Sequence, residues 1–180
     1  RKWNMLELFK SDSNEMDFSM CVTTSRKIDI YWNDLELKLK KDYKYKQIVF
    51  IDPVVLSSFT KIVDLESILP NLIVIPINIG EKDKDSDSLI SILALLEREG
   101  VGRLDDKIYA VGGGVLIDVA SFACSIFRRG IYLTKVPTTL LAFIDASIGI
   151  KTGINFLGQR NRLGSYNARF DVLLDSKFLK

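Results

Sequence analysis

KIYAVGGGVLIDVASFACSIFRRG, residues 107–130, decides the fold. An apolar run from Lys107 to Val111 meets the glycines Gly112, Gly113 and Gly114, and an almost wholly apolar stretch then runs from about Val115 to Arg128 and stops at Gly130. The first run has the length of a buried strand and the second that of a buried helix, and strand, glycine turn, helix is the order of a nucleotide-binding βα unit. Glycines at the turn keep side chains away from the backbone N–H groups and from the positive end of the helix dipole, where a pyrophosphate could sit. The spacing is not the usual dinucleotide fingerprint, because Ile117 stands where its third glycine belongs, and no GK[ST] ending marks a Walker loop. A tight turn without a ligand is the alternative. Asp118 is the odd residue in the apolar helix, and a carboxylate there needs a partner: a nearby lysine, a helix-turn hydrogen bond, or a ligand.

Outward from this unit the pattern repeats. QIVFI at 47–51 ends at Asp52 and Pro53, and LIVIPI at 72–77 is a second short apolar run; both read as buried parallel strands. Leu89, Ile92, Leu93 and Leu96 follow helical spacing between Ser88 and Gly100. Residues 131–136 before Pro137, and FDVLLD at 170–175, read as further strands. Toward the N-terminus, Phe18, Met20 and Val22, then Ile28, Ile30 and Trp32, alternate with polar residues around Ser25 to Lys27, which predicts a hairpin. Residues 1–17 show no lasting periodicity and are expected to form a peripheral arm; residues 18–180 form an α/β domain. The predicted fold is a Rossmann-like, mainly parallel sheet flanked by helices, with strands near residues 48, 73, 108 and 133 and the glycine turn at their carboxyl ends.

Composition narrows the function. Apolar residues make up 47% of the 180 and charged residues 27%, a globular balance. Lys and Arg number 25 against 23 Asp and Glu, so no long-range field argues for nucleic acid or an anionic membrane. Cys21 and Cys124 form neither a disulfide framework nor a metal cluster, which fits a reduced, cytoplasmic protein. Val111 to Phe127 is too short and too broken by Asp118 and the glycines to span a bilayer. Histidine, the commonest metal ligand and near-neutral acid or base, is absent.

GGGVLID at 112–118, RRG at 128–130, VPTTLLAFIDASIGIKTGIN at 136–155 and RNRLG at 160–164 resemble, in order and spacing, the 3-dehydroquinate synthase family of sugar phosphate cyclases. The glycine turn alone is also similar to iron-dependent alcohol dehydrogenases and glycerol dehydrogenase, but the PTTLLA…D…KT…N block is not theirs. The resemblance spans roughly residues 45–175. FIDASIGIKTGINF followed by NRLG is closest in look to the branch of 2-epi-5-epi-valiolone synthase and demethyl-4-deoxygadusol synthase. Dehydroquinate synthases tend to carry glycine where Ile150 stands and lysine where Arg160 stands, and arginine replaces a point ammonium by a planar fork.

This resemblance implies an enzyme that binds NAD, oxidises a substrate hydroxyl, expels phosphate, reduces the ketone again and closes a carbocycle by an aldol step. The substrate expected is a sugar phosphate, sedoheptulose 7-phosphate in the valiolone branch or the dehydroquinate precursor in the shikimate pathway. It further implies that Asp52, Glu81 and Lys84 address the adenosine end of the dinucleotide, that Gly113, Gly114 and Asp118 hold its pyrophosphate and nicotinamide region, and that Thr138 and Thr139 contact it. Asp145 is expected between nicotinamide and substrate, Lys151 and Asn161 on substrate oxygens, and Arg129 and Arg160 on the phosphate. Two of these assignments have plainer alternatives: Arg129 could merely favour a helix C-terminus, and residues 81–84 could be a solvated charge run. Family members hold zinc or cobalt with a Glu and two His from a helical C-terminal domain, and the resemblance implies a homodimer at full length. The 180 residues are accordingly expected to be an N-terminal portion, inactive alone, with a non-catalytic nucleotide- or partner-binding module as the contrasting reading.

Overall fold

In the computed structural model, residues 28–32, 35–62 and 69–179 are described. The elements in chain order are β1 (Ile30–Trp32), α1 (Leu35–Lys41), β2 (Gln47–Ile51), α2 (Pro53–Ile62), β3 (Leu72–Pro76), α3 (Ser86–Arg98), β4 (Lys107–Gly112), α4 (Gly114–Ile126), β5 (Leu133–Pro137), α5 (Leu140–Ile144), β6 (Lys151–Phe156), β7 (Gln159–Tyr166) and β8 (Phe170–Leu174). Six strands form one sheet in the order β1-β8-β5-β4-β2-β3, every pairing parallel. The expected fold class is borne out, with the strands near 48, 73, 108 and 133 as β2 to β5.

Both faces of the sheet are covered, which is why its strands read as unbroken apolar runs. Ile48, Phe50, Ile108, Ala110 and Leu133 pack on one face with α3 and α4, through Ile92, Leu96, Ile117, Ala120 and Cys124. The alternate residues Val49, Ile51, Tyr109, Val111 and Val136 pack on the other with Leu35 and Leu39 of α1 and Phe59 of α2. Cys124 is wholly buried, and burial pushes its thiol up to about 12, so it behaves as a small core hydrophobe. Among the described residues no helix is long and apolar enough to cross a membrane.

Of the predicted hairpin, residues 18–27 lie outside the described residues, as does the expected arm at 1–17; the second half is β1, which pairs parallel with β8. The sequence did not reveal a further hairpin: β6 and β7 pair antiparallel in a separate two-stranded sheet that packs over α4. This cover explains why α4 is apolar nearly all round, with the sheet on one side and the hairpin on another.

The strand order reverses between β2 and β4. Chain direction carries β2 outward to β3, while β4 leads the other way to β5 and β8. Open α/β sheets bind ligands outside the strand carboxyl ends at such a switch point. Asp52 follows β2 and Gly112 closes β4, so the two residues flank this crevice.

Candidate functional site

The three glycines differ in what holds them. A Cβ on Gly112 would stand 2.8 Å from Leu116 Cδ2 and 3.3 Å from Asp52 Cβ, so a side chain there would have to displace Leu116, and close packing favours glycine. A Cβ on Gly113 would meet nothing nearer than Thr139 Cγ2 at 3.6 Å, and one on Gly114 nothing nearer than Ala146 Cβ at 3.8 Å. Gly113 has φ −74°, open to any residue. Neither packing nor backbone strain therefore accounts for glycine at 113.

Gly113 is the N-cap of α4 and no side chain caps that helix. At α3, by contrast, Asp85 Oδ1 accepts from the N–H groups of Asp87 and Ser88, both at 3.1 Å. The N–H groups of the first turn of α4 thus face the crevice with the positive end of the helix dipole behind them. Thr138 N–H donates to Gly112 O at 3.0 Å, and Thr139, the N-cap of α5, lies against the position a Gly113 side chain would take. Asp52 N–H donates to Val111 O at 3.0 Å, and its carboxylate accepts from Val54 N–H at 2.9 Å at the start of α2. Asp52, Gly113, Gly114, Thr138 and Thr139 stand together around one turn, and the open backbone at Gly113 and Gly114 fits a dinucleotide pyrophosphate.

Asp118 lies one helical turn beyond Gly114 on the same face. Its partner is Lys84: Nζ donates to Asp118 Oδ2 at 2.7 Å and to Asn161 Oδ1 at 2.9 Å. The Lys84 side chain is only 6% exposed and that of Asp118 28%. The structure thus joins through one ammonium a residue expected at the adenosine end and two expected nearer the substrate. Lys84 is buried, whereas its neighbours Glu81, Lys82 and Asp83 are exposed, so the solvated-run alternative fails for Lys84.

A cleft of about 660 Å³ opens beside this triad, lined by Asp118, Asp145, Ala146, Gly149, Ile150, Lys151, Thr152, Gly153, Asn161, Arg162, Gly164, Ser165 and Tyr166. Asp145, Lys151 and Asn161 therefore share one cavity. Arg160 does not line it. Arg160 instead lines a second groove with Glu81, Asn155 and Phe156, its Nε 3.9 Å from Glu81 Oε1, while Arg162 lines the main cleft. On a regular strand residues 160 and 162 would share a face. Between them Asn161 has φ +49°, and the ladder shifts register between Ile154 and Phe156, which breaks the alternation. Asn tolerates this left-handed backbone better than most residues, and its N–H is held by Asn155 Oδ1 at 2.9 Å. Asn155 Nδ2 in turn donates to Glu81 O at 3.3 Å.

Arg129 falls elsewhere. α4 begins at the glycine turn and ends at Ile126, so Arg129 lies beyond its far end, roughly 20 Å from the turn at ~1.5 Å per residue. Arg128 and Arg129 have φ of +47° and +63°, in a short 3-10 turn after the helix.

Sequence reading missed Arg162, Asn155 and Lys135. RNR at 160–162 could have flagged Arg162 as a third cation, but only the left-handed Asn161 decides which arginine enters the cleft. A lysine in the buried strand before VPTT was the signal for Lys135. Among the described residues no group of three His, Cys, Asp or Glu side chains could hold a metal ion, so the donors here do not fit a resident metal.

Fold and site together define an α/β domain with a crevice at the switch point of its parallel sheet, next to a polar cleft. A family model, 3-dehydroquinate synthase N-terminal, matches residues 74–180, and the chain belongs to this family. It is 44% identical over 106 residues to 2-epi-5-epi-valiolone synthase of Actinoplanes sp., covering 59% of this chain and 27% of that protein. It is 43% identical over 112 residues to 3-dehydroquinate synthase of Saccharolobus solfataricus, covering 62% and 31%. Among solved structures, 2-epi-5-epi-valiolone synthase from Streptomyces hygroscopicus subsp. jinggangensis 5008, with NAD+ and Zn2+ bound, superposes with a TM-score of 0.79 at 28% identity, covering 89% of this chain and 46% of that one. The chain spans less than half the length of each of these relatives.

Proposed function

We propose that this chain forms the NAD-binding domain and one wall of the substrate cleft of a sugar phosphate cyclase acting on a heptulose phosphate, with sedoheptulose 7-phosphate as substrate. The observation that carries this reading is the convergence of Asp118, Asp145, Lys151, Asn161 and Arg162 on one cleft beside an uncapped glycine turn. NAD, when bound, supplies reversible oxidation and reduction of a substrate hydroxyl. The rest is the work of this chain's side chains. Gly113 and Gly114 let the first-turn N–H groups of α4 hold the pyrophosphate, while Asp52, Thr138 and Thr139 bound its seat. The Lys84 ammonium fixes Asp118 and Asn161, so that the Asn161 carboxamide presents its N–H donors to substrate oxygens. Lys151 and Arg162 add two cations to the wall, matched to phosphate oxygens and to negative charge that develops during elimination. Asp145 contributes an exposed carboxylate able to accept a proton from a substrate hydroxyl. No step is assigned to a metal, since the described donors do not build its site.

The valiolone branch is favoured by Ile150 and Arg160, where dehydroquinate synthases tend to carry glycine and lysine. The identity of 43% to an archaeal 3-dehydroquinate synthase supports that activity as the second reading. Phosphate release by the intact protein, with NAD and zinc or cobalt, separates them. At least tenfold faster release from sedoheptulose 7-phosphate than from the dehydroquinate precursor supports the first, and the reverse ratio supports the second. Release from neither overturns both.

A further inference from the structure

Lys135 occupies a core position of β5, where charged residues are almost never found without partners. It is 1% exposed, on the same strand face as Leu133, with Nζ 3.7 Å from the Phe170 ring centroid. That ammonium donates to Ala146 O at 3.0 Å and to Gly149 O at 2.7 Å. Both carbonyls belong to residues 145–150, the link between α5 and β6.

The link closes largely on itself. Ser147 N–H donates to Ala142 O at 2.9 Å, Ser147 Oγ to Phe143 O at 2.6 Å, and Gly149 N–H to Asp145 O at 3.0 Å. Asn167 N–H holds Ile150 O at 2.8 Å. Those bonds shape the turn, and the Lys135 side chain ties it to the parallel sheet. Asp145 opens the link, Lys151 follows it, and Ala146, Gly149 and Ile150 line the cleft between them. An apolar residue at 135 would leave two inward carbonyls without this donor, and the link could satisfy them only by moving.

We propose that Lys135 is a positioning residue: by gripping the Ala146 and Gly149 carbonyls from within the sheet, its ammonium sets where Asp145 and Lys151 stand in the cleft. This rests on the reading of that cleft as the sugar phosphate site. Asp145 and Lys151 lie at opposite ends of a seven-residue segment, so one buried anchor near its middle fixes both. Lysine suits the place because its compact ammonium directs several donors to acceptors that converge on one point.

The test compares the intact wild-type protein with Lys135→Met and Lys135→Arg by hydrogen exchange, NAD titration and steady-state phosphate release. In Lys135→Met the amides of Ser147 and Gly149 are expected to exchange at least tenfold faster, while amides of β2 and β4 keep their rates within threefold. NAD affinity is expected to hold within threefold, because Gly113 and Gly114 lie outside the link, and kcat to fall at least tenfold. Lys135→Arg, which keeps a charged donor, should recover link protection and part of kcat. Equal acceleration over sheet and link, with kcat per folded molecule unchanged, would mark a merely structural lysine and overturn the proposal, as would wild-type protection of the link in Lys135→Met. Should the Met variant not fold, the same comparisons are read on Lys135→Gln, whose carboxamide keeps a donor but is too short to serve both carbonyls. If the wild type turns over neither heptulose phosphate, the exchange results still decide the placement claim while the functional reading falls.

Discussion

At the scale of single residues, Lys84 and Lys135 are buried cations with opposite designs. Lys84 neutralises a carboxylate, so Lys84→Met should cost about 1–3 kcal/mol, less than for a fully buried pair because Asp118 keeps 28% exposure. Urea denaturation of Lys84→Met, Asp118→Asn and the double variant measures it, and a coupling energy of at least ~0.5 kcal/mol is expected. Lys135 has carbonyls and a ring as its direct partners; burial lowers its ammonium to about 8 from 10.5, with the Asp118 charge opposing. Between those two values the unfolded chain holds a proton that the folded chain has released, so stability from this position rises with pH across the window and is lowest below it. Wild type should therefore gain on Lys135→Met by on the order of 2 kcal/mol between pH 7.5 and 10 in paired denaturant titrations. Tyr109, whose phenol is pushed up by burial and then by Asp42, is common to both proteins and cancels. A flat difference would contradict the assignment. Asp118 was legible in the sequence as a carboxylate needing a partner, but its cation came from 34 residues away, a distance that local pattern cannot bridge.

At the scale of elements, the β6–β7 hairpin shapes the cleft, and glycine shapes the hairpin. A Cβ on Gly164 would overlap the Thr152 carbonyl oxygen, and one on Gly153 would come within 2.8 Å of Leu163 O. Gly164→Ala is thus expected to destabilise by roughly 2–4 kcal/mol or to open the hairpin. At the tip, Gly158 has φ +76° and nothing within 4 Å of an added Cβ, so Gly158→Ala carries only the backbone cost of about 1 kcal/mol. Thermal denaturation of the two variants should rank them in that order, and equal losses would show that the close approach at 164 is relaxed in solution. This hairpin escaped the sequence reading because KTGINF and QRNRLGSY lack clean alternation; left-handed Asn161 and the register shift replace it. β2, β4 and α4 were legible because burial on all sides leaves a continuous apolar run that needs no tertiary information.

At the scale of the whole molecule, the reversal of strand order between β2 and β4 places the carboxyl end of one strand, Asp52, beside the glycine turn of the other. Sequence spacing identified the glycine turn and the strands, and the motif order identified the family, but which residues share the cleft depended on how the hairpin crosses α4. The central claim is that the Gly113 turn seats a dinucleotide, and Gly113→Ser tests it most directly. Serine caps a helix at least as well as glycine, and a Cβ there meets nothing nearer than 3.6 Å, so the fold should be unharmed. Calorimetric titration of NAD into the intact wild type and this variant, with thermal denaturation alongside, is the measurement. The account predicts equal or higher Tm together with at least tenfold weaker NAD binding in Gly113→Ser; equal NAD affinity in the two proteins, or no binding to the wild type, would contradict it.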